Sequence, residues 1–179
     1  MDNTDLEMAL LGFLVEGQKY GYELFKEISD PMGIGSVWRV KIGKMYSMLK
    51  RLESQGFISA TSKKDGNRPQ KNMFSLTKKG KDMFKKWMIE PIKHGRDLRI
   101  LFLLKIYFIK TNDQFYGKDL ILKQIKECEN WKSNNKIAPN EMNDESSFIG
   151  FVRKYRSSQI DGFINWLDWC GEAIHEEIL

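Results

Sequence analysis

The stretch GKMYSMLKRLESQGFI, residues 43–58, decides the fold of this chain. Apolar side chains at Ile42, Met45, Leu49 and Leu52 recur at helical spacing, which predicts an amphipathic helix with one buried face. The glycine near the end of the stretch favours the left-handed backbone that terminates helices, so the helix is predicted to stop there. Basic and hydroxyl-bearing side chains occupy its other faces, and a strand-like run follows at once.

The segments around this helix predict a three-helix unit followed by a β-hairpin and a fourth helix. The predicted helices and strands flanking it cover residues 5–16, 20–29, 57–62, 71–77 and 78–89. Gly17 is predicted to end the first helix, and Thr77 is predicted to cap the last one. That last helix places its apolar residues inward and five lysines outward. This order is typical of a winged helix-turn-helix, in which the hairpin is the wing and the helix that stops at Gly56 is the recognition helix.

The positive charge is concentrated around the predicted recognition helix and wing. The whole chain has a net charge of +5, but residues 39–86 hold 14 Lys and Arg against 3 Asp and Glu, a net charge of +11. Clustered Lys and Arg bind phosphates by releasing counterions, so a polyanionic partner is indicated. The alternative is a solvated basic surface without a partner.

The second half of the chain predicts a different kind of domain. Residues 97–110 are densely apolar, 114–137 have a helical pattern, and the pattern from residue 148 suits a helix of about eight turns. A helix of that length with an aromatic seam predicts a homodimer. We therefore divide the chain into a winged helix domain, 1–90, and an α-helical dimerisation domain, 91–179. The predicted dimerisation residues are Phe148, Phe151, Val152, Tyr155, Phe163, Trp166, Leu167 and Cys170.

Several other classes of protein find no support in the sequence. The apolar run 98–109 is too short to cross a bilayer, and no secretory signal is visible, so a cytoplasmic protein without a membrane partner is expected. Cys128 and Cys170 lack the spacing of a metal or redox motif, although a redox-sensing role stays open. His94 and His175 have no neighbouring ligand pattern. No catalytic motif is present, and neither a cofactor nor a metal is predicted.

Four stretches, taken in order, resemble the PadR family of bacterial transcriptional regulators. Residues 20–24, YGYEL, resemble the start of the family's second helix, and residues 46–58 resemble its recognition helix and exit. Residues 66–80 resemble the wing with the following helix. Residues 96–108 resemble the start of the C-terminal domain. In its length and in having Trp38 before the recognition helix, the chain resembles the larger subfamily of this family.

The resemblance implies a dimeric, sequence-specific DNA-binding regulator, a repressor, that binds a pseudo-palindromic operator in double-stranded DNA. The implied contact residues come from the second helix, the recognition helix and the wing: Tyr20, Tyr22, Lys41, Lys44, Tyr46, Ser47, Lys50, Arg51, Lys63, Lys64, Arg68 and Lys71. One departure concerns the start of the recognition helix, where Lys41 replaces the family's hydroxyl-bearing N-cap. The missing cap costs about 1 kcal/mol.

Several residues have more than one interpretation. Tyr46 is either a DNA contact or a core residue, and one of Tyr20 and Tyr22 is expected to be buried. Trp166 and Trp169 could line a pocket for a small aromatic effector, but helically spaced aromatic residues more often pack in a core or a dimer. A winged helix can also serve as a protein–protein interaction module without specific DNA binding.

Overall fold

The computed structural model describes residues 3–63, 71–112, 117–134 and 146–176. Those residues form a mainly α-helical protein with one small antiparallel sheet. The elements of the first half are α1 (Asn3–Gly12), β1 (Lys19–Tyr20), α2 (Gly21–Ile28), a 3₁₀ turn (Ile34–Ser36), α3 (Ile42–Ser54), β2 (Ile58–Lys63), β3 (Lys71–Leu76) and α4 (Lys78–Ile89). Those of the second half are α5 (Gly95–Asp97), a π-helical turn (Leu98–Phe102), α6 (Leu103–Asn112), α7 (Gly117–Asn134) and α8 (Phe148–Glu176).

The sheet contains the predicted hairpin and one further strand. β2 and β3 pair antiparallel in a register that runs from Ile58 opposite Leu76 to Lys63 opposite Lys71. The two-residue β1 adds to the other side of β3, which gives the order β1-β3-β2. A strand of two residues is too short to show an alternating pattern, so the sequence could not reveal it. The winged helix-turn-helix order is confirmed.

Helix α3 packs its apolar face against α1, α2 and β2. Met45, Met48, Leu49 and Leu52 are fully buried, whereas Ile42 is 43% exposed. The prediction that Ile42 belongs to the core was therefore wrong, and Met48 takes its place. Ile42 is the first residue of the helix, and Met48 completes the buried face beside Met45 and Leu52.

The ends of α3 and α4 follow the predicted chemistry, but the end of α1 does not. Gly56 has a φ of 74°, which is the left-handed backbone expected after α3. The Thr77 hydroxyl accepts a hydrogen bond of 3.1 Å from the Gly80 amide, which confirms the predicted cap of α4. Helix α1 ends at Gly12 instead of continuing to residue 16, because residues 11–15 close into a turn with Leu14 N bonded to Leu11 O.

The two halves share a continuous core, in which Phe108 of α6 is central. Its ring lies 5.2 Å from the ring of Phe13 and 5.4 Å from that of Phe84 on α4, both edge to face. A Cβ on Gly12 would lie 2.6 Å from the same ring, so α1 needs a glycine where α6 crosses it. The first four helices are thereby fixed against the second half.

Two buried polar side chains hold the segment between α4 and α5. Lys105 is 1% exposed and donates to the main-chain oxygens of Trp87 and Glu90, each at 2.5 Å. Gln124 of α7 is fully buried and bonds both main-chain groups of Ile92, at 2.6 Å to its nitrogen and 3.1 Å to its oxygen. The Trp87 oxygen also accepts from the Glu90 amide at 3.3 Å, whereas the Glu90 and Ile92 groups belong to the segment that follows α4.

Helix α8 has 29 residues, as the long periodic pattern predicted. Helix α7 packs against α8, which buries Ile160, Leu167, Cys170 and Ile174 within the single chain. Leu167 is fully buried and Cys170 is 5% exposed, so neither offers a surface to a second copy, contrary to the expectation that both lie in a dimer interface.

The start of α8, residues 148–155, is more exposed. Phe148, Phe151 and Tyr155 are 79%, 65% and 64% exposed, and Val152 is half-buried. The apolar side chains of this helix therefore divide between an intrachain seam and an open face.

Candidate nucleic-acid interface

The solvent-facing side of α3 carries the polar residues that the sequence analysis singled out. The helix covers 13 residues, about 20 Å of axis, which suits insertion into a major groove. Four of its outward residues and the residue before it are exposed: Lys41, Lys44, Tyr46, Ser47 and Lys50. Because the opposite face of the helix is buried, these side chains are presented on one surface.

The start of α3 lacks a side-chain cap, as predicted. Lys41 is the N-cap residue and makes no side-chain hydrogen bond there. One turn further along, the Ser47 hydroxyl donates to the main-chain oxygen of Gly43 at 2.9 Å. That bond fixes the Ser47 side chain close to the helix and leaves its oxygen as an acceptor.

Tyr46 reaches from α3 to the start of α2. A Cβ on Gly21 would lie 2.5 Å from the Tyr46 hydroxyl oxygen and 2.7 Å from its Cε1, so the ring rests on the glycine. Tyr46 is 41% exposed, Tyr20 is half-buried and Tyr22 is 61% exposed. The Tyr20 amide donates to the Glu23 carboxylate at 2.8 Å, which satisfies one main-chain group at this end of α2.

Arg51 of α3 is paired with a buried acid. Its guanidinium contacts the carboxylate of Glu7 on α1. The Glu7 side chain is only 4% exposed, whereas that of Arg51 is 46% exposed. Glu7 was not among the residues predicted from the sequence. The sequence held one indication of its role, because Glu7 is an acidic residue inside the apolar run that forms the buried face of α1.

The wing is described only in part. Lys63 and Lys71 lie opposite each other at the last pair of the β2–β3 register. Lys64 and Arg68 lie outside the described residues.

Beyond the wing, α4 exposes five lysines, as predicted: Lys78, Lys79, Lys81, Lys85 and Lys86. Lys79 donates to the main-chain oxygen of Gln55 at 2.7 Å, so it belongs to the packing of α4 on the end of α3.

Comparison with known proteins gives a family match over this part of the chain. Residues 10–86 match the model of the transcriptional regulator PadR-like family. Over these residues the chain is similar to the PadR-like family. The "Negative transcriptional regulator PadR" of Bacillus subtilis is 30% identical over 121 residues, which are 68% of this chain and 65% of that protein.

Two further similarities extend the comparison of this PadR-like chain. The "Probable transcriptional regulator Rv1176c" of Mycobacterium tuberculosis is 28% identical over 91 residues, 51% of this chain and 47% of that protein. The crystal structure of Bacillus subtilis PadR in complex with operator DNA has a TM-score of 0.48 and 23% identity, covering 93% of this chain and 97% of that one. The chain thus matches about two thirds and about half of the lengths of the two curated relatives.

The second half of the PadR-like chain contains a cleft between residues 93–103 and α8. Adjoining cavities of about 630 and 700 Å³ share Gly95, Arg96, Gln159 and Phe163. The remaining lining residues include three aromatic rings, Trp131, Tyr155 and Trp166, and two further arginines, Arg99 and Arg156. Trp166 is half-buried and lines the cleft, whereas Trp169 is 62% exposed and is not among its lining residues.

Both cysteines are buried thiols. Burial raises the pKa of Cys128 and of Cys170 to about 11 in each case. The Gln124 side chain bonds Cys128 and opposes that shift, as the charge of Lys110 does for Cys170. Both groups are therefore protonated at neutral pH, which disfavours the thiolate chemistry of a redox sensor.

The described residues contain no cluster of three or more His, Cys, Asp and Glu side chains that could hold a metal ion. None of the described helices combines the length and apolar character needed to span a lipid bilayer.

Proposed function

We propose that this PadR-like chain is a sequence-specific, DNA-binding transcriptional regulator that reads its operator through α3 and the wing. The observation that supports this most strongly is the division of α3 into two faces. One face is fully buried, and the other exposes Lys44, Tyr46, Ser47 and Lys50 together. A major groove accepts an α-helix with such an outer face, and lysines contribute phosphate contacts.

Tyr46 and the start of α2 would supply a contact to the DNA backbone. The Tyr46 hydroxyl lies beside Gly21, where the main-chain amides at the helix N-terminus carry partial positive charge. A phosphate placed there would accept from the hydroxyl and from main-chain amides. The wing, in which Lys63 lies opposite Lys71 in the strand register, would contact a second stretch of backbone.

The exposed aromatic face of α8 supports a homodimer. Phe148, Ile149, Phe151 and Tyr155 are each more than half exposed within 8 residues of one helix. Soluble proteins seldom leave such a patch open, so a second copy is the proposed cover. Two winged helices held in this way would read the two half-sites of a pseudo-palindrome. Phe163 and Trp166, half-buried at the cleft, would lie near that contact and not at its centre.

Repression and an effector response complete the proposal. The curated Bacillus subtilis relative is named a negative regulator, which favours repression. The cleft lined by Trp131 and Phe163 and by three arginines suits a small aromatic effector, whose binding would shift the dimer between arrangements that fit and do not fit the operator.

Selection of bound duplexes from a random pool tests the proposal. We expect enrichment of an inverted repeat whose half-site centres are about 10 base pairs apart, or a multiple of that. The variant Lys44→Glu/Lys50→Glu should enrich nothing. Its matched control, Lys118→Glu/Lys126→Glu, makes the same charge change on exposed residues of α7 and should select the wild-type sequence. No enrichment by the wild-type chain at low salt would contradict the proposal.

A protein–protein interaction module is the competing function, because the open α8 face could also bind a different protein. Charge reversal at Lys44 and Lys50 separates the two functions. It abolishes DNA retention if the chain is a DNA-binding regulator, and it leaves partner binding intact if the chain is an interaction module.

Sedimentation of the wild-type chain alone reports the homodimer, and Phe151→Glu on the exposed face should yield monomers.

A further inference from the structure

Glu7 is an acidic residue placed inside the core side of α1. It is followed by Met8, Ala9 and Leu10, all of them buried, and its own side chain is 4% exposed. Among the residues that the structure describes, Arg51 is the one cation in ion-pair contact with it. The pair joins α1 to the recognition helix.

The burial of Glu7 decides where the Arg51 guanidinium stays. A carboxylate out of water is stable only with its countercharge, and removing one member of a buried pair is strongly destabilising. Arg51 is 46% exposed, so a phosphate contact made there would be solvated and screened by salt. Moving the guanidinium to DNA would therefore lose more at Glu7 than it would gain at the phosphate.

We propose that Glu7 is a positioning residue that holds Arg51 on α1 and so withholds one cation of α3 from nucleic acid. This inference rests on the proposed DNA-binding function. Non-specific binding is almost wholly electrostatic, whereas specific binding adds contacts to base edges. Withholding one cation lowers the affinity for every duplex, and it limits the capture of the chain by unrelated DNA. Lys44 and Lys50 then supply the cationic contacts of the helix.

The variant Glu7→Gln tests this by releasing Arg51 while keeping the size of the side chain. Fluorescence anisotropy with a random-sequence duplex, measured across a salt series, gives the slope of log K against log salt. We expect the slope to steepen by about 0.9, because one more phosphate is neutralised. The same relation makes the affinity for random DNA about eightfold tighter at roughly 0.1 M salt. Circular dichroism confirms that each variant is folded.

A second variant and a control keep the test independent of folding and of overall charge. Glu7→Gln/Arg51→Gln has no buried charge left unpaired, and its slope should equal that of the wild type. Glu53→Gln removes an exposed carboxylate from α3 itself and should change the slope by much less than Glu7→Gln does.

Two results overturn the inference while leaving the proposed function in place. The first is a wild-type slope for Glu7→Gln. The second is a slope for the double variant that is shallower than wild type by about one contact, since Arg51 would then already touch DNA in the native chain. If the wild-type chain binds neither random nor selected duplexes, the proposed function itself fails, and the inference fails with it.

Discussion

Replacing Lys105 by methionine should loosen the junction between the winged helix and the rest of the chain. The ammonium group is buried and donates to two main-chain oxygens at the end of α4, those of Trp87 and of the C-cap residue Glu90, each at 2.5 Å. It also lies 4.6 Å from the centre of the Trp87 ring. Hydrogen bonds from a charged donor each contribute about 1.5–3 kcal/mol, and these two would be lost.

Part of that loss is offset. Methionine fills similar space and no longer carries a buried charge, and Glu90 is exposed, so water can reach its carbonyl group. The carbonyl of buried Trp87 keeps only the longer hydrogen bond from the Glu90 amide, at 3.3 Å. We therefore expect a net loss of about 2 kcal/mol in the free energy of unfolding, or roughly 4–8 °C in Tm for a chain of this length.

Urea unfolding followed by circular dichroism measures the effect. The control Lys86→Met, on an exposed lysine of the same α4 segment, should stay within about 0.5 kcal/mol of the wild type. An unchanged urea midpoint for Lys105→Met, with an unchanged slope, would refute the view that this ammonium group stabilises the end of α4.

Three other perturbations have defined outcomes. Gly80→Ala would put a Cβ 2.0 Å from a main-chain oxygen and should lower the free energy of unfolding by about 1–3 kcal/mol. In contrast, a Cβ at Gly162 meets no atom within 4 Å other than those of its own stretch of helix, so Gly162→Ala should raise that free energy by about 0.5–1 kcal/mol; equal urea midpoints for the two variants would contradict this. Gly21→Ala should push the Tyr46 ring aside, so its affinity for DNA should fall to that of Tyr46→Ala while the free energy of unfolding changes little. A wild-type affinity measured by fluorescence anisotropy would contradict this. The two buried thiols, with a pKa raised to about 11, should resist aromatic disulfide reagents at pH 8, and fast labelling of the folded chain would argue against their burial. The free energy of unfolding should be undiminished below the unfolded-state thiol pKa of about 8.5 and should fall between about pH 9 and 11.

The winged helix could be predicted from local chemistry because its signals are local. Apolar spacing defined α3, a left-handed glycine at 56 ended it, and Thr77 capped α4. Single positions at helix ends were harder to assign. Ile42 fits the apolar repeat, yet it is exposed, because periodicity does not reveal where the packing partner stops.

Contacts between elements distant in sequence could not be predicted. The pairing of Arg51 with Glu7 joins residues 44 positions apart, and nothing in the pattern of α3 separates Arg51 from Lys50. The division of α8 likewise depends on how far α7 extends alongside it. Leu167 and Phe151 share one periodic pattern, but Leu167 is buried and Phe151 is exposed.

The central claim is that the outer face of α3 contacts duplex DNA, and the salt dependence of binding tests it most directly. The measurement compares the wild type with Lys44→Gln/Lys50→Gln on the selected duplex, by anisotropy between roughly 0.05 and 0.2 M salt. Loss of two phosphate contacts predicts a slope shallower by about 1.8 and a matching loss of affinity. An unchanged slope and affinity in a folded double variant would contradict the assignment of this face to DNA.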